Sequence, residues 1–109
     1  MGVETPIAII ALTAAGGKLA QQIQRGLPDA QVHGLSGRVE DCDTTFTDTG
    51  KALRALFHDG YAIIGICAAG ILIRGLGTSL SNKHIEPPVI AISPDGANIV
   101  PLLGGHHGA

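Results

Sequence analysis

The sequence predicts an α/β domain of three layers: a mostly parallel sheet, helices on both faces, and an antiparallel strand near the carboxyl terminus. Three observations carry that expectation. Continuous apolar runs such as PIAIIAL at 6–12 and YAIIGIC at 61–67 read as strands covered on both faces. Stretches of helical period stand between the runs, the alternation that yields parallel strands joined by helices. The core must also be aliphatic, because the only aromatics are Phe46, Phe57 and Tyr61. Small and branched side chains of that kind suit closely stacked layers.

Pro6 to Leu12 is the first strand, and Thr13 is placed to cap the helix after it. Leu19, Ala20, Ile23 and Leu27 recur at helical spacing up to Pro28. Gln31 to Leu35 is a short strand. Ser36 to Thr49 is polar and poor in core formers, and reads as a loop. Asp48 or Thr49 caps a second helix that buries Leu53, Leu56 and Phe57 and stops at Asp59-Gly60. Tyr61 to Cys67 is the best candidate for the centre of the sheet. Ala69 to Leu80 carries Ile71, Leu72, Leu76 and Leu80 on a helical period, closed by Asn82-Lys83. Pro88 to Ser93 is a further apolar strand, and PDGA turns the chain into Asn98 to Leu103 as a hairpin.

Bulk properties exclude several classes. A chain of 109 residues is one domain, with enough core to fold without metal or disulfide staples. The net charge is −2, and its seven Lys and Arg form no cluster, so nucleic acid is not an expected partner. The longest apolar run, Tyr61 to Ile73, falls short of the ~20 residues that span a bilayer. No basic leader precedes the first apolar stretch, and Pro6 spoils a myristoylation pattern after Gly2. Cys42 and Cys67 lie in unrelated contexts and read as free thiols of a cytoplasmic protein.

The chemistry concentrates after Ala68. In sheets of this kind ligands gather at the carboxyl ends of strands. Thr13-Ala-Ala-Gly-Gly, Ala68-Ala-Gly and Leu103-Gly-Gly are expected along one such edge. The turn through Gly70 opens a helix with small residues, whose exposed N–H groups favour a carboxylate, or simply let strand and helix pack closely. Arg74 stands in an otherwise apolar helix with few acids nearby. It reads either as a bidentate carboxylate anchor or as a surface arginine. Lys83 carries the same two readings. Gly104 and Gly105 precede His106 and His107, and an imidazole there can act as acid or base near neutral pH. Adjacent histidines on a helix point about 100° apart and rarely share a metal. Asp41, Cys42 and Asp43 belong to a remote loop, so no metal is expected. No GxSxG, GxGxxG or Walker pattern occurs.

AAGILIR at 68–74, Lys83, the strand PPVIAIS, the turn PDGANIV and the ending PLLGGHHGA together resemble the amino-terminal domain of CbiG-type cobalamin-biosynthesis proteins. PIAIIALTAAGGKLAQQI resembles the opening strand and helix of that family. Glu86, Pro94 and His107 depart mildly from its pattern. The resemblance implies action on a corrinoid intermediate, as in cobalt-precorrin-5A hydrolases that open a ring-A lactone and release acetaldehyde. It implies no intrinsic cofactor, with cobalt present only as part of the substrate. Arg74 and Lys83 then hold substrate carboxylates, Gly70, Gly104 and Gly105 shape the site with His107 beside it, and His106 is the catalytic base. The resemblance also implies that 1–109 is the amino-terminal part of a longer protein. The alternative is a non-catalytic corrinoid-binding or docking domain, fused to a precorrin-3B methyltransferase or serving other cobalamin-pathway enzymes. An exposed last strand leaves a homodimer open.

Overall fold

A computed structural model describes residues 6–77 and 87–103. The elements are β1 (Ile7–Ala11), α1 (Ala14–Gly26), β2 (Gln31–Leu35), β3 (Thr44–Phe46), α2 (Thr49–His58), β4 (Ala62–Ile66), α3 (Ala69–Leu76), β5 (Val89–Ile92) and β6 (Ile99–Leu103). They form one six-stranded sheet of order β3-β2-β1-β4-β5-β6. All neighbours are parallel except β5 and β6. The two apolar runs, β1 and β4, lie side by side at the middle of the sheet, where both faces are covered.

Strand alternation sorts the core into two halves. Ala8, Ile10, Ile63, Val89 and Ala91 face α2 and α3, where Leu53, Phe57, Leu72 and Leu76 close over them. Ile9, Ala11, Val32 and Ile66 face α1 and its Ala20. With so few aromatics, the layers gain density by approaching closely. A Cβ built on Gly65 would lie 2.7 and 2.8 Å from the two δ-methyls of Leu72, so only glycine lets α3 seat on β4. Helix starts follow the expected caps. Thr13 Oγ1 accepts from Gly16 N–H at 2.9 Å, and Asp48 Oδ1 accepts from Lys51 N–H at 3.1 Å.

Two element boundaries differ from the sequence expectation. The stretch Ser36 to Thr49 is not all loop, because Thr44–Phe46 forms the edge strand β3. It lacks an apolar run since Thr44 and Thr45 are exposed at the sheet edge. The third helix ends at Leu76 rather than Leu80, where Gly77 adopts φ 46. The expected end at Leu80 and the closing Asn82-Lys83 lie outside the described residues.

No helix joins β2 to β3, although parallel neighbours usually need about a dozen residues and a helix. The connection packs directly against α1 instead. Val39 fills the space that side chains on Gly17 and Gly34 would take, its atoms lying 2.9 and 2.6 Å from Cβ positions built there. Gln21 Nε2 donates to Asp41 O at 2.7 Å. Asp43 Oδ2 accepts from Val32 N–H and from Gln24 Nε2, both at 2.8 Å. Those two hydrogen bonds hold the Asp43 carboxyl below its ordinary range, the backbone donor contributing most.

Helices cover both faces, as expected, but not the whole sheet: β5 and β6 have no helix packed on the α1 side among the described residues. No helix among the described residues is long and apolar enough to cross a membrane. Cys42 and Cys67 are both free.

Two outcomes test this packing. Gly65→Ala should destabilise the domain by about 1–3 kcal/mol in urea unfolding, with the slope unchanged. The loss should shrink in a Leu72→Ala background, because the clash then has no partner. The second concerns His33, half-buried, with Nε2 sealed from solvent and without a hydrogen-bond partner among the described residues. Burial lowers its pKa from 6.5, and Asp43 opposes this more weakly. The unfolded chain therefore takes up a proton that the folded one resists. Stability is full above about pH 6.5 and falls as pH drops through the folded value. A His33→Leu variant should flatten the stability profile over that window and keep most of the separate loss below about pH 4 that belongs to Asp43, which rests chiefly on its Val32 and Gln24 hydrogen bonds.

Candidate functional site

The strand order reverses between β1 and β4, which makes the gap beyond their carboxyl ends the topological switch point of the sheet. α1 leaves from Thr13 toward one face, and α3 leaves from Ala68 toward the other. A cleft flanks each side of this point.

The first cleft, of about 270 Å³, is lined by Cys67, Ala68, Ala69, Ala91, Ser93, Pro94, Asn98 and Val100. It is mostly apolar, built from small side chains at the ends of β4 and β5. The second, of about 330 Å³, lies between the start of α1 and the β2–β3 connection, with Lys18, Gln21, Arg38, Glu40 and Asp41 in its wall. Two cations and two carboxylates share that wall, so it offers no single sign of charge to a ligand.

Helix α3 opens at the rim of the first cleft. Unlike α1 and α2 it has no side-chain cap, its N-cap being Ala68. Ile71 N–H turns back to Ala68 O at 3.0 Å, which leaves the first-turn N–H groups of Ala69 and Gly70 for solvent or a ligand. Gly70 is exposed, with no atom within 4 Å of a Cβ built on it. Arg74 follows four residues later, on the same exposed face of the helix. Because α3 ends at Leu76, Arg74 stands in its last turn, where the helix dipole favours a cation. Arg54 holds the same end of α3, donating from Nη1 to Gly75 O at 2.9 Å.

The far wall of the cleft is the tight turn between β5 and β6. Ser93 N–H donates to Asn98 O at 2.9 Å and Gly96 N–H to Ser93 O at 2.8 Å. Asp95 Oδ1 accepts from Ser93 Oγ at 2.6 Å and from Ala97 N–H at 3.0 Å. These bonds keep the Asp95 carboxyl below its ordinary range, the serine hydroxyl contributing most. The same bonds occupy the Ser93 hydroxyl, which also accepts from Asn98 N–H at 3.0 Å. Burial pushes the Cys67 thiol up to about 11, so it stays protonated at neutral pH. Neither group is an activated nucleophile. Among the described residues no base lines this cleft.

The expectation that three glycine turns share one edge fails at β6. That strand runs antiparallel, and Leu103 pairs with Val89, the first residue of β5. Leu103 therefore lies on the amino edge of the parallel sheet, opposite Thr13 and Ala68. Gly104, Gly105, His106, His107 and Lys83 lie outside the described residues. Of the residues singled out in the sequence, Gly70 and Arg74 share one exposed face of α3, and neither lines the cleft. The lining contributed by Ser93 and Asn98 escaped the sequence reading, because it depends on the β5–β6 register, although the PDGA turn between them was legible.

Fold and clefts define a doubly wound α/β domain with a mostly apolar cleft at the carboxyl edge of its sheet. The chain belongs to the family described as Cobalamin synthesis G N-terminal, whose profile matches residues 51–109. It is 32% identical over 105 residues to the cobalt-precorrin-5A hydrolase of Salmonella typhimurium, covering 94% of this chain and 29% of that protein. Identity to the cobalt-precorrin-5A hydrolase of Priestia megaterium is 26% over 107 residues, covering 93% of this chain and 29% of that protein. The chain thus spans less than a third of the curated relatives it matches. A crystal structure of a cobalamin biosynthesis protein G homologue from Sulfolobus solfataricus shares the fold, with TM-score 0.60 at 18% identity, covering 93% of this chain and 30% of that one.

Gly70→Ala should leave the melting temperature unchanged or slightly raised, since alanine favours a helix and meets no neighbour. A drop of several degrees in a thermal melt would contradict the open surroundings of Gly70.

Proposed function

We propose that this chain is the corrinoid-recognising part of a cytoplasmic cobalt-precorrin-5A hydrolase, which opens the ring-A lactone of its substrate with release of acetaldehyde. One observation carries the reading: alignment with two cobalt-precorrin-5A hydrolases along 94% and 93% of this chain. The chemistry of the carboxyl edge is compatible with such a substrate, a methylated macrocycle ringed by carboxylates. Small apolar side chains suit the methylated rim, the uncapped start of α3 suits one carboxylate, and Arg74 suits a second. Cobalt belongs to the substrate and needs no ligand from this chain.

In this reading His106 is the base that activates water at the lactone, with Lys83 a further carboxylate contact and Gly104, Gly105 and His107 shaping its surroundings. Arg74 stands on α3, and Leu103, three residues before His106, pairs with the first residue of β5 on the amino edge; a substrate as large as a corrinoid suits that separation. A second reading is favoured by the lack of an activated nucleophile or base in the cleft among the described residues: a corrinoid-binding module whose chemistry is supplied by another domain, such as a fused precorrin-3B methyltransferase.

A visible-absorbance titration with a cobalt-corrinoid lactone, with headspace acetaldehyde followed in the same sample, separates the two. Arg74→Ala should weaken binding by roughly 10–100-fold, the worth of a charge-assisted pair. His106→Ala should leave binding intact and slow acetaldehyde release by about 10²–10⁴-fold. Binding without any release by the unaltered chain favours the second reading. Unchanged affinity in Arg74→Ala removes the anchor assignment.

A further inference from the structure

Two rows of side chains cross the α1 face of the sheet. One runs Val32–Ile9–Ile64–Ile90–Pro101, the other Gly34–Ala11–Ile66–Ile92–Ile99. Under α1 the rows are buried: Val32, Ile9, Ala11 and Ile66 are at most 1% exposed. Past α1 the rows remain apolar but lose their cover. Ile64, Ile90 and Ile92 are only half-buried, Pro101 is exposed, and Ile99 is 64% exposed. None of these five side chains is polar, and among the described residues the two outermost strands carry no third layer on this side.

The free edge of β6 cannot explain the patch as a site for strand addition. Ser93 N–H donates to Asn98 O, so by antiparallel alternation Ile99 and Pro101 turn their backbone groups outward. Pro101 has no N–H to offer there, and the register slips between Val89 and Ile90. A proline and a bulge are the usual defences of an edge against sheet extension. A partner must therefore meet this surface face-on, with an apolar stripe of its own. An uncharged face gives nothing to nucleic acid or to an acidic peptide.

We infer that the open face of β5 and β6 seats an apolar-striped helix from the part of a cobalt-precorrin-5A hydrolase that this chain does not match. The inference rests on the family reading above. The curated relatives devote 29% of their length to the matched stretch, so most of each protein lies elsewhere and this open face is where it can pack. Helices occupy the equivalent positions over β1, β2 and β4 and on the opposite face, and the layer above β5 and β6 takes one more.

The test uses a full-length protein in which this chain replaces the matched stretch of the Salmonella typhimurium hydrolase. In a Cys42→Ser background, Ile99→Cys is labelled with a maleimide in that protein and in the isolated chain, with Ile73→Cys on α3, 49% exposed in the wild-type chain, as the control. Labelling at position 99 should slow at least tenfold in the full-length protein while position 73 stays reactive. Ile99→Asp should lower the melting temperature of the full-length protein by several degrees and leave the isolated chain unchanged. Equal labelling rates at position 99, a full-length protein without a cooperative transition, or an isolated chain that dimerises until Ile99→Asp is introduced would each overturn the proposal. Failure here with corrinoid binding intact overturns docking alone; protection of position 99 without corrinoid binding overturns the substrate reading alone.

Discussion

Leu72 occupies the space in which residue 65 would carry a side chain, and much of the molecule depends on that contact. With so few aromatics the core gains density by closing the distance between layers, and packing density is what makes aliphatic cores stable. Gly65 lets the third helix lie flush on β4, where Leu72 and Leu76 become fully buried. Once the helix is seated, its uncapped first turn is held at the end of β4, opposite the β5–β6 turn. The cleft is the consequence. The same device recurs on the other face, where Gly17 and Gly34 admit Val39 and let an unusually short connection run between two parallel strands.

In the proposed reading, binding and chemistry are divided. The carboxyl-edge cleft offers small apolar side chains, with the uncapped first turn of α3 at its rim. Its hydroxyl is tied into the Ser93–Asn98 turn and its thiol is held protonated by burial. Such a surface suits recognition of a ligand rather than attack on it. In the proposed reading water activation comes from elsewhere, and the proposed base, His106, lies in sequence after a strand that ends on the other edge. Large substrates permit this separation, because one ligand can meet an anchoring surface and a reacting group that no small metabolite could bridge.

The layered fold was legible because β1 and β4 are buried on both faces and therefore unbroken apolar runs. Thr13 and Asp48 announced their helices through cap chemistry that acts within a few residues. The stretch Thr44–Phe46 was not legible, since an edge strand with exposed threonines needs no apolar pattern. The helix from Ala69 stops at Gly77 although Leu80 continues its period, because a backbone turn outranks a periodic side chain there. For the site, Gly70 and Arg74 could be found from local sequence alone. The placement of Leu103 could not: whether the last strand runs with or against its neighbour decides which edge it reaches, and the two cases differ by the length of the strand.

If a corrinoid is held at the carboxyl edge, it lies over the seated start of α3. Backbone hydrogen exchange of this chain, measured with and without a cobalt-corrinoid lactone, is the decisive measurement. Binding there should bring new protection at Ala69 and Gly70 and through the Ser93–Asn98 turn. Protection confined to the amino edge, around Gly60 to Ala62 and at Val89, with Gly70 unchanged, would contradict it.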